Sequence, residues 1–236
     1  MNGIIFGVPL KTSAIFYQKI KMVGLLHLVV LSGTNITLLA AIVSSLTRNF
    51  SKLVSILITI PIIIIFIIFV GPQAPIIRAG FMGILTLVSN IYGKRSWALY
   101  SLFLSALFIT VFWPEWIKTI SFQLSFAATL GLIFFGQTKI NNSIWREFKT
   151  SLAAQVFTVP IIFIYFKQVS LISPVANVLV AFLISPLMIL GFLTAILGKI
   201  NYYLGIIPAG LSYGVLTFIV FVIEVLSKLP FVFLQF

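Results

Sequence analysis

The sequence predicts an all-α integral membrane protein: a polytopic bundle of roughly seven to nine transmembrane helices, some broken or kinked, plus an N-terminal interfacial helix. Three observations carry this expectation. Of 236 residues, 61% are hydrophobic and 8% charged, whereas a soluble domain carries about 25% charged residues and must keep a wettable surface. Apolar runs recur at lengths near the ~20 residues with which a helix crosses a bilayer. The breaks between them hold Gly, Pro and basic side chains, which end helices and anchor them at the interface. Backbone groups in lipid must pair within the chain, so helices or a closed barrel are the options. The alternating segments of about ten residues that a barrel needs are absent.

The elements follow in order. Residues 9–21 mix Pro9, Lys11, Tyr17, Gln18, Lys19 and Lys21 with apolar residues, the pattern of a helix lying on the membrane. A first span is expected from Met22 to Leu46, closed by Arg48, Asn49 and Lys52. Leu53–Val70 is nearly uncharged. Its isoleucines would suit a strand in water, but its length decides for a membrane helix. Gly71-Pro72-Gln73-Ala74-Pro75 breaks the chain, and a third span runs to Ile91. Trp97–Phe112 is a fourth, anchored by Trp113, Trp116 and Lys118. Residues 119–136 form a fifth. Gln137–Lys149 is the most polar stretch and is expected to be a loop. Thr150–Phe166, with Pro160 inside, is a sixth span. Residues 170–198 exceed one simple crossing, and Pro174, Pro186 and Gly191 allow two pieces or a kink. Tyr203–Leu229 is the last span. The whole of 1–236 reads as a single transmembrane domain.

Composition narrows the chemistry. There is no Cys and no Asp, and the acids are Glu115, Glu147 and Glu224. One His and three scattered Glu make neither a typical zinc or paired-metal site nor a catalytic carboxylate pair. A phosphate-binding Gly-rich loop is absent, so no ATP-driven motor is expected in these residues. The chain therefore reads as a non-enzyme with no cofactor. Its net charge of +12 suits anionic lipid head groups or a polyanionic ligand. For an individual Lys or Arg, a basic flank that fixes topology is the plainer account.

Polar groups inside spans are costly and mark candidate sites. His27, Ser32, Gly33 and Asn35 form the first cluster. His27 and Asn35 lie about 80° apart on a regular helix, and Ser32 joins them only if Gly33 interrupts it. Interhelical hydrogen bonding with close packing at Gly33 would explain one such residue alone, whereas the whole cluster favours a functional role. Arg78, just after Pro75, either snorkels to the interface or sets a fixed cation beside a hydrated path for an anion. In Ser121–Gly131, Ser121, Ser125 and Ala128 share a small-residue face, while Gln123 points the opposite way. Phe122 and Phe126 could stack on bases, but in a chain with 24 Phe, lipid or core packing is the better explanation of either. Ser170, Ser173, Asn177 and Ala181 are expected on one helix face. Glu224 is the acid set deepest in a span, either paired with a Lys or protonated.

Four segments resemble one family. Gly24-Leu25-Leu26-His27-Leu28 with Ser32-Gly33-Thr34-Asn35-Ile36 is similar to the signature of the competence domain of ComEC-type DNA-internalisation proteins, with Asn35 where the family often has His. Arg78-Ala79-Gly80-Phe81-Met82 looks like the family's Arg-Ala-x-x-Met segment. Phe122-Gln123-Leu124-Ser125-Phe126 is the most specific match. Ser170–Leu179, ahead of Ser185-Pro186-Leu187, is similar to its Ala-Asn-Leu-Leu…Pro segment. The resemblance implies a channel that passes single-stranded DNA across the bacterial cytoplasmic membrane in natural transformation. His27, Ser32, Gly33, Asn35, Arg78, Gln123, Ser125 and Asn177 become candidates for the DNA path or a helix break. It further implies membrane lipids, a cytosolic ATPase motor and DNA receptor proteins as partners, and leaves an oligomer open. The OB-like and metallo-β-lactamase-like nuclease domains of longer members have no counterpart within these residues. On physics alone, a secondary transporter for a small anionic or amphipathic substrate fits broken helices with buried polar groups equally well. A structural membrane subunit is a further reading.

Overall fold

The protein's structure is a computed structural model, and it describes residues 13–25, 33–93, 97–136, 142–229 and 233–235. Among them the chain is helical apart from two three-residue strands. Two compact units emerge: residues 1–31 with 136–236 (unit 1), and 32–135 (unit 2).

Unit 1 holds α1 (Ala14–Val23), α7 (Ser143–Phe166), β1 (Gln168–Ser170), α8 (Ser173–Ile200), α9 (Tyr202–Leu226) and β2 (Phe233–Gln235). The strands pair antiparallel, with Val169 opposite Leu234. Ser13 caps α1 by accepting the Phe16 N–H at 3.3 Å. Gly24 ends it in a left-handed conformation (φ 77°), which a residue without Cβ adopts cheaply. A Cβ at Gly24 would also lie 2.6 Å from Ser173 Cβ, so the turn is packed against the start of α8. The core is apolar and draws on Ile20, Val23 and Leu25 with Val180 and Leu187 of α8 and Val222 and Ile223 of α9. Helices α8 and α9 are joined through the single residue Asn201, whose side chain accepts the Tyr203 N–H at 2.9 Å. Gly198 and Gly205 let the two backbones close up at that joint. A Cβ on Gly205 would come within 2.7 Å of Gly198 Cα.

Unit 2 holds α2 (Gly33–Leu46), α3 (Lys52–Val70), α4 (Ala74–Ile91), α5 (Ala98–Phe112), a 3₁₀ turn (Pro114–Lys118) and α6 (Ile120–Phe135). Helix α4 touches α2, α3, α5 and α6 and is the centre of the unit. Small residues permit this: Ala74, Ala79 and Gly80 are buried on α4, and a Cβ at Gly80 would strike Ile67 of α3. On α3 the buried residues Ile56, Thr59, Ile63 and Phe66 follow helical spacing. Its other faces expose Leu57, Ile64, Ile65, Ile68 and Phe69. A helix apolar all round suits lipid.

Among the described residues, five helices are long and apolar enough to cross a membrane: α3, α4, α7 from Ile144, α8 and α9. Helices α2, α5 and α6 are apolar but shorter, at 14, 15 and 16 residues. Two expectations change. Met22–Leu46 is not one helix, because Gly24 takes a left-handed turn. Residues 143–149 are helical instead of looped, because Asn142 caps α7 by accepting the Ile144 N–H at 3.0 Å. Of the two readings of residues 170–198, the single helix is the one observed: Ser173–Ile200 continues through Pro186. Helix α1 buries Ile20 and Val23 in the apolar core of unit 1, together with residues of α8 and α9.

Candidate functional site: a buried cation in unit 2

Arg78 sits in the second turn of α4, placed there by the break at 71–73 and by Pro75 in the first turn. Pro at that position sacrifices no hydrogen bond and pre-sets the helical φ. From this position the guanidinium meets two neighbours. Nη1 donates to Thr129 Oγ1 of α6. Nη2 lies where a side chain on Gly33 would go, 2.9 Å from the Cβ that residue lacks. Gly33 opens α2, so its role here is to admit the cation. Thr129 is itself oriented, since its hydroxyl donates back to the Ser125 carbonyl at 2.9 Å.

The cluster is electrostatically incomplete. Arg78 Nε is buried and has no hydrogen-bond partner, and neither has the buried Ser125 Oγ. Among the described residues the ion pair is Lys19 with Glu224, in unit 1, and no carboxylate pairs with Arg78. A guanidinium offers five N–H donors and keeps its charge. Held by one neutral hydroxyl, it retains donors for an oxyanion, and its planar fork matches phosphate oxygens.

The other sequence candidates fall as follows. His27 and Ser32 lie outside the described residues. Asn35 is buried in the first turn of α2. Gln123 Nε2 reaches the Ile117 carbonyl at 3.4 Å and fastens α6 to the preceding 3₁₀ turn. Phe122 and Phe126 stack on each other, 4.2 Å between centroids. Asn177 belongs to unit 1, where its Nδ2 donates to Ser151 Oγ of α7 at 2.7 Å while Oδ1 is buried without a partner. Ser170 is in β1, ahead of α8, and so does not share a helix face with Ser173 and Asn177. On α6 the fully buried positions are Ala127 and Gly131, and Ser121 is exposed, so the expected Ser121–Ala128 face is not the packed one. Glu224 is half exposed, with its carboxylate 3.9 Å from Lys19 Nζ.

Sequence reasoning missed Thr129 and Ser151. Thr129 stands inside the Phe122–Gly131 block, four residues after Ser125, and that helical spacing was the available signal. Ser151 is one hydroxyl in a long apolar helix and carried none.

A family model described as Competence protein matches residues 4–236. ComE operon protein 3 of Bacillus subtilis (strain 168) is 28% identical over 177 residues, covering 69% of this chain and 21% of that protein. The chain thus spans well under half the length of the curated relative it matches. No solved structure matches.

Proposed function

We propose, from the premise that this chain belongs to the competence protein family, that it takes part in DNA uptake as a passive conduit for single-stranded DNA across the bacterial cytoplasmic membrane. The observation that supports this reading best is Arg78, a cation set in a candidate span against a neutral hydroxyl, with a buried Nε that has no partner. A charge in a span is kept where function needs it. A strand carries one phosphate per nucleotide, and its charges cannot cross hydrocarbon without polar or cationic compensation. One cation framed by Ser125, Thr129 and Gly33 favours transit over tight binding, because each passing phosphate meets few charges. The resemblance adds His27, Ser32, Asn35, Gln123 and Asn177 as candidate polar groups for the path.

In this reading α2, α5 and α6 also cross, which with the five longer helices makes eight spans; local bilayer thinning accommodates short helices. The chain does no chemistry. Force comes from a cytosolic ATPase, delivery from DNA receptor proteins, and lipid surrounds the helices. Assembly of several copies is compatible with this scheme.

The test is uptake of labelled DNA by cells carrying this chain in place of their own competence channel, with membrane insertion checked in parallel. Uptake should fall on Arg78→Ala and be partly kept in Arg78→Lys, which retains the charge and loses the fork. Undiminished uptake with well-inserted Arg78→Ala would remove the cation from the path.

A further inference from the structure

At one end of unit 2, α2, α3 and α4 leave an open cavity of about 310 Å³ that the DNA-uptake reading does not use. Its polar lining includes Ser44, Arg48, Lys52, Ser55 and Asn90. We infer that this cavity binds the phosphate of an anionic phospholipid head group.

The charge balance is the first argument. Two cations line the space and no acid does. Arg48 and Lys52 form no ion pair among the described residues. The acid of this unit, Glu115, follows the far end of α5, about 22 Å along that helix. Carbonyls at the end of α2 would repel an anion, and one of them is taken up by Thr47. Its hydroxyl donates to the Val43 carbonyl at 2.8 Å and lies 2.6 Å from Ser55 Oγ. This partly buried link joins the end of α2 to α3 at the cavity. Within α3, Thr59 Oγ1 donates to the Ser55 carbonyl at 2.7 Å. What remains facing the opening is cationic and hydroxylic, with the N-terminus of the 19-residue α3 adding its dipole.

The second argument selects lipid. The cavity lies at helix ends, where head groups sit, and basic pockets between membrane helices suit anionic head groups. On the side of α3 turned away from Ser55 and Thr59, an exposed apolar stripe runs through Leu53, Leu57, Ile64 and Ile68, within about 60° of one another around the axis, so the cavity sits at the level where an apolar, lipid-suited helix meets the head groups. A phospholipid phosphate reaches that level with its acyl chains left in the bilayer. Inorganic phosphate can use the cavity alone, and a DNA strand would need a groove continuing beyond it.

The experiment uses the purified full chain, stripped of lipid in detergent and titrated with phosphatidylglycerol, phosphatidylcholine, inorganic phosphate or a single-stranded oligonucleotide. Phosphatidylglycerol should bind roughly thirtyfold more tightly than phosphatidylcholine, as expected for two cations near the phosphate. The double variant Arg48→Gln/Lys52→Gln should lose that preference while its unfolding midpoint stays put, since both side chains are exposed. An unchanged preference in the double variant would overturn the site. Inorganic phosphate or the oligonucleotide binding at Arg48 and Lys52 as tightly as phosphatidylglycerol would overturn its assignment to lipid.

Discussion

Unit 1 and unit 2 handle polar groups between helices in different ways. In unit 1 the link between α7 and α8 is neutral, Asn177 to Ser151, beside a broad apolar core. Its charges pair at the surface, Lys19 with Glu224. In unit 2 the link between α4 and α6 is a guanidinium on a threonine hydroxyl with no carboxylate to balance it. A neutral buried bond contributes about 1 kcal/mol and can be exchanged for apolar packing at little loss. A charge inside a span carries a larger cost and is the better marker of function. Under the proposed function, this contrast ranks Arg78 of unit 2 ahead of the neutral Asn177 of unit 1 as a contact for a polyanion.

The largest expected effect tests that division. Arg78→Ala removes charge-assisted bonds of about 1.5–3 kcal/mol, which corresponds to a fall in DNA uptake of roughly 10–100-fold. Asn177→Leu should lower it less than about threefold, in line with a bond worth under 1 kcal/mol. Equal losses would break the contrast. Next is Gly24→Ala in unit 1, which combines a left-handed φ with a collision at Ser173. It should lower stability by about 3 kcal/mol in detergent unfolding. Gly210→Ala in the same unit, where a Cβ meets nothing within 4 Å, should stay within about 0.5 kcal/mol. Thr129→Val should cost about 1–2 kcal/mol by stripping the cation of its acceptor, and Thr129→Ser should restore most of it. The smallest effect belongs to Lys19→Ala. Its ion pair spans 3.9 Å with side chains 32% and 48% exposed, so less than about 1 kcal/mol should be lost.

Much of the fold was legible because it depends on local patterns. The span expected over Leu53–Val70 is observed as Lys52–Val70, started by Ser51, whose hydroxyl accepts the Val54 N–H. Pro75 and the Gly71–Gln73 break announced α4. The misreadings have two causes, a neighbour distant in the chain in one case and an overlooked local cap in the other. Gly24 looked like one more residue in an apolar run, yet its packing on Ser173 turns the chain there. Residues 143–149 looked too polar to be helical, yet a single cap at Asn142 and continuity with an apolar helix make them so.

By itself, then, the sequence determined a helical chain for lipid, most helix boundaries and the unusual position of Arg78 inside one of them. These follow from apolar run length, caps and breaks, which act within a few residues. Only the tertiary structure decided that Arg78 meets Thr129, 51 residues away, and that Gly33 makes room for the guanidinium. Such contacts depend on how helices rotate and approach one another. Small buried residues such as Gly80 set that approach, and no local pattern encodes it.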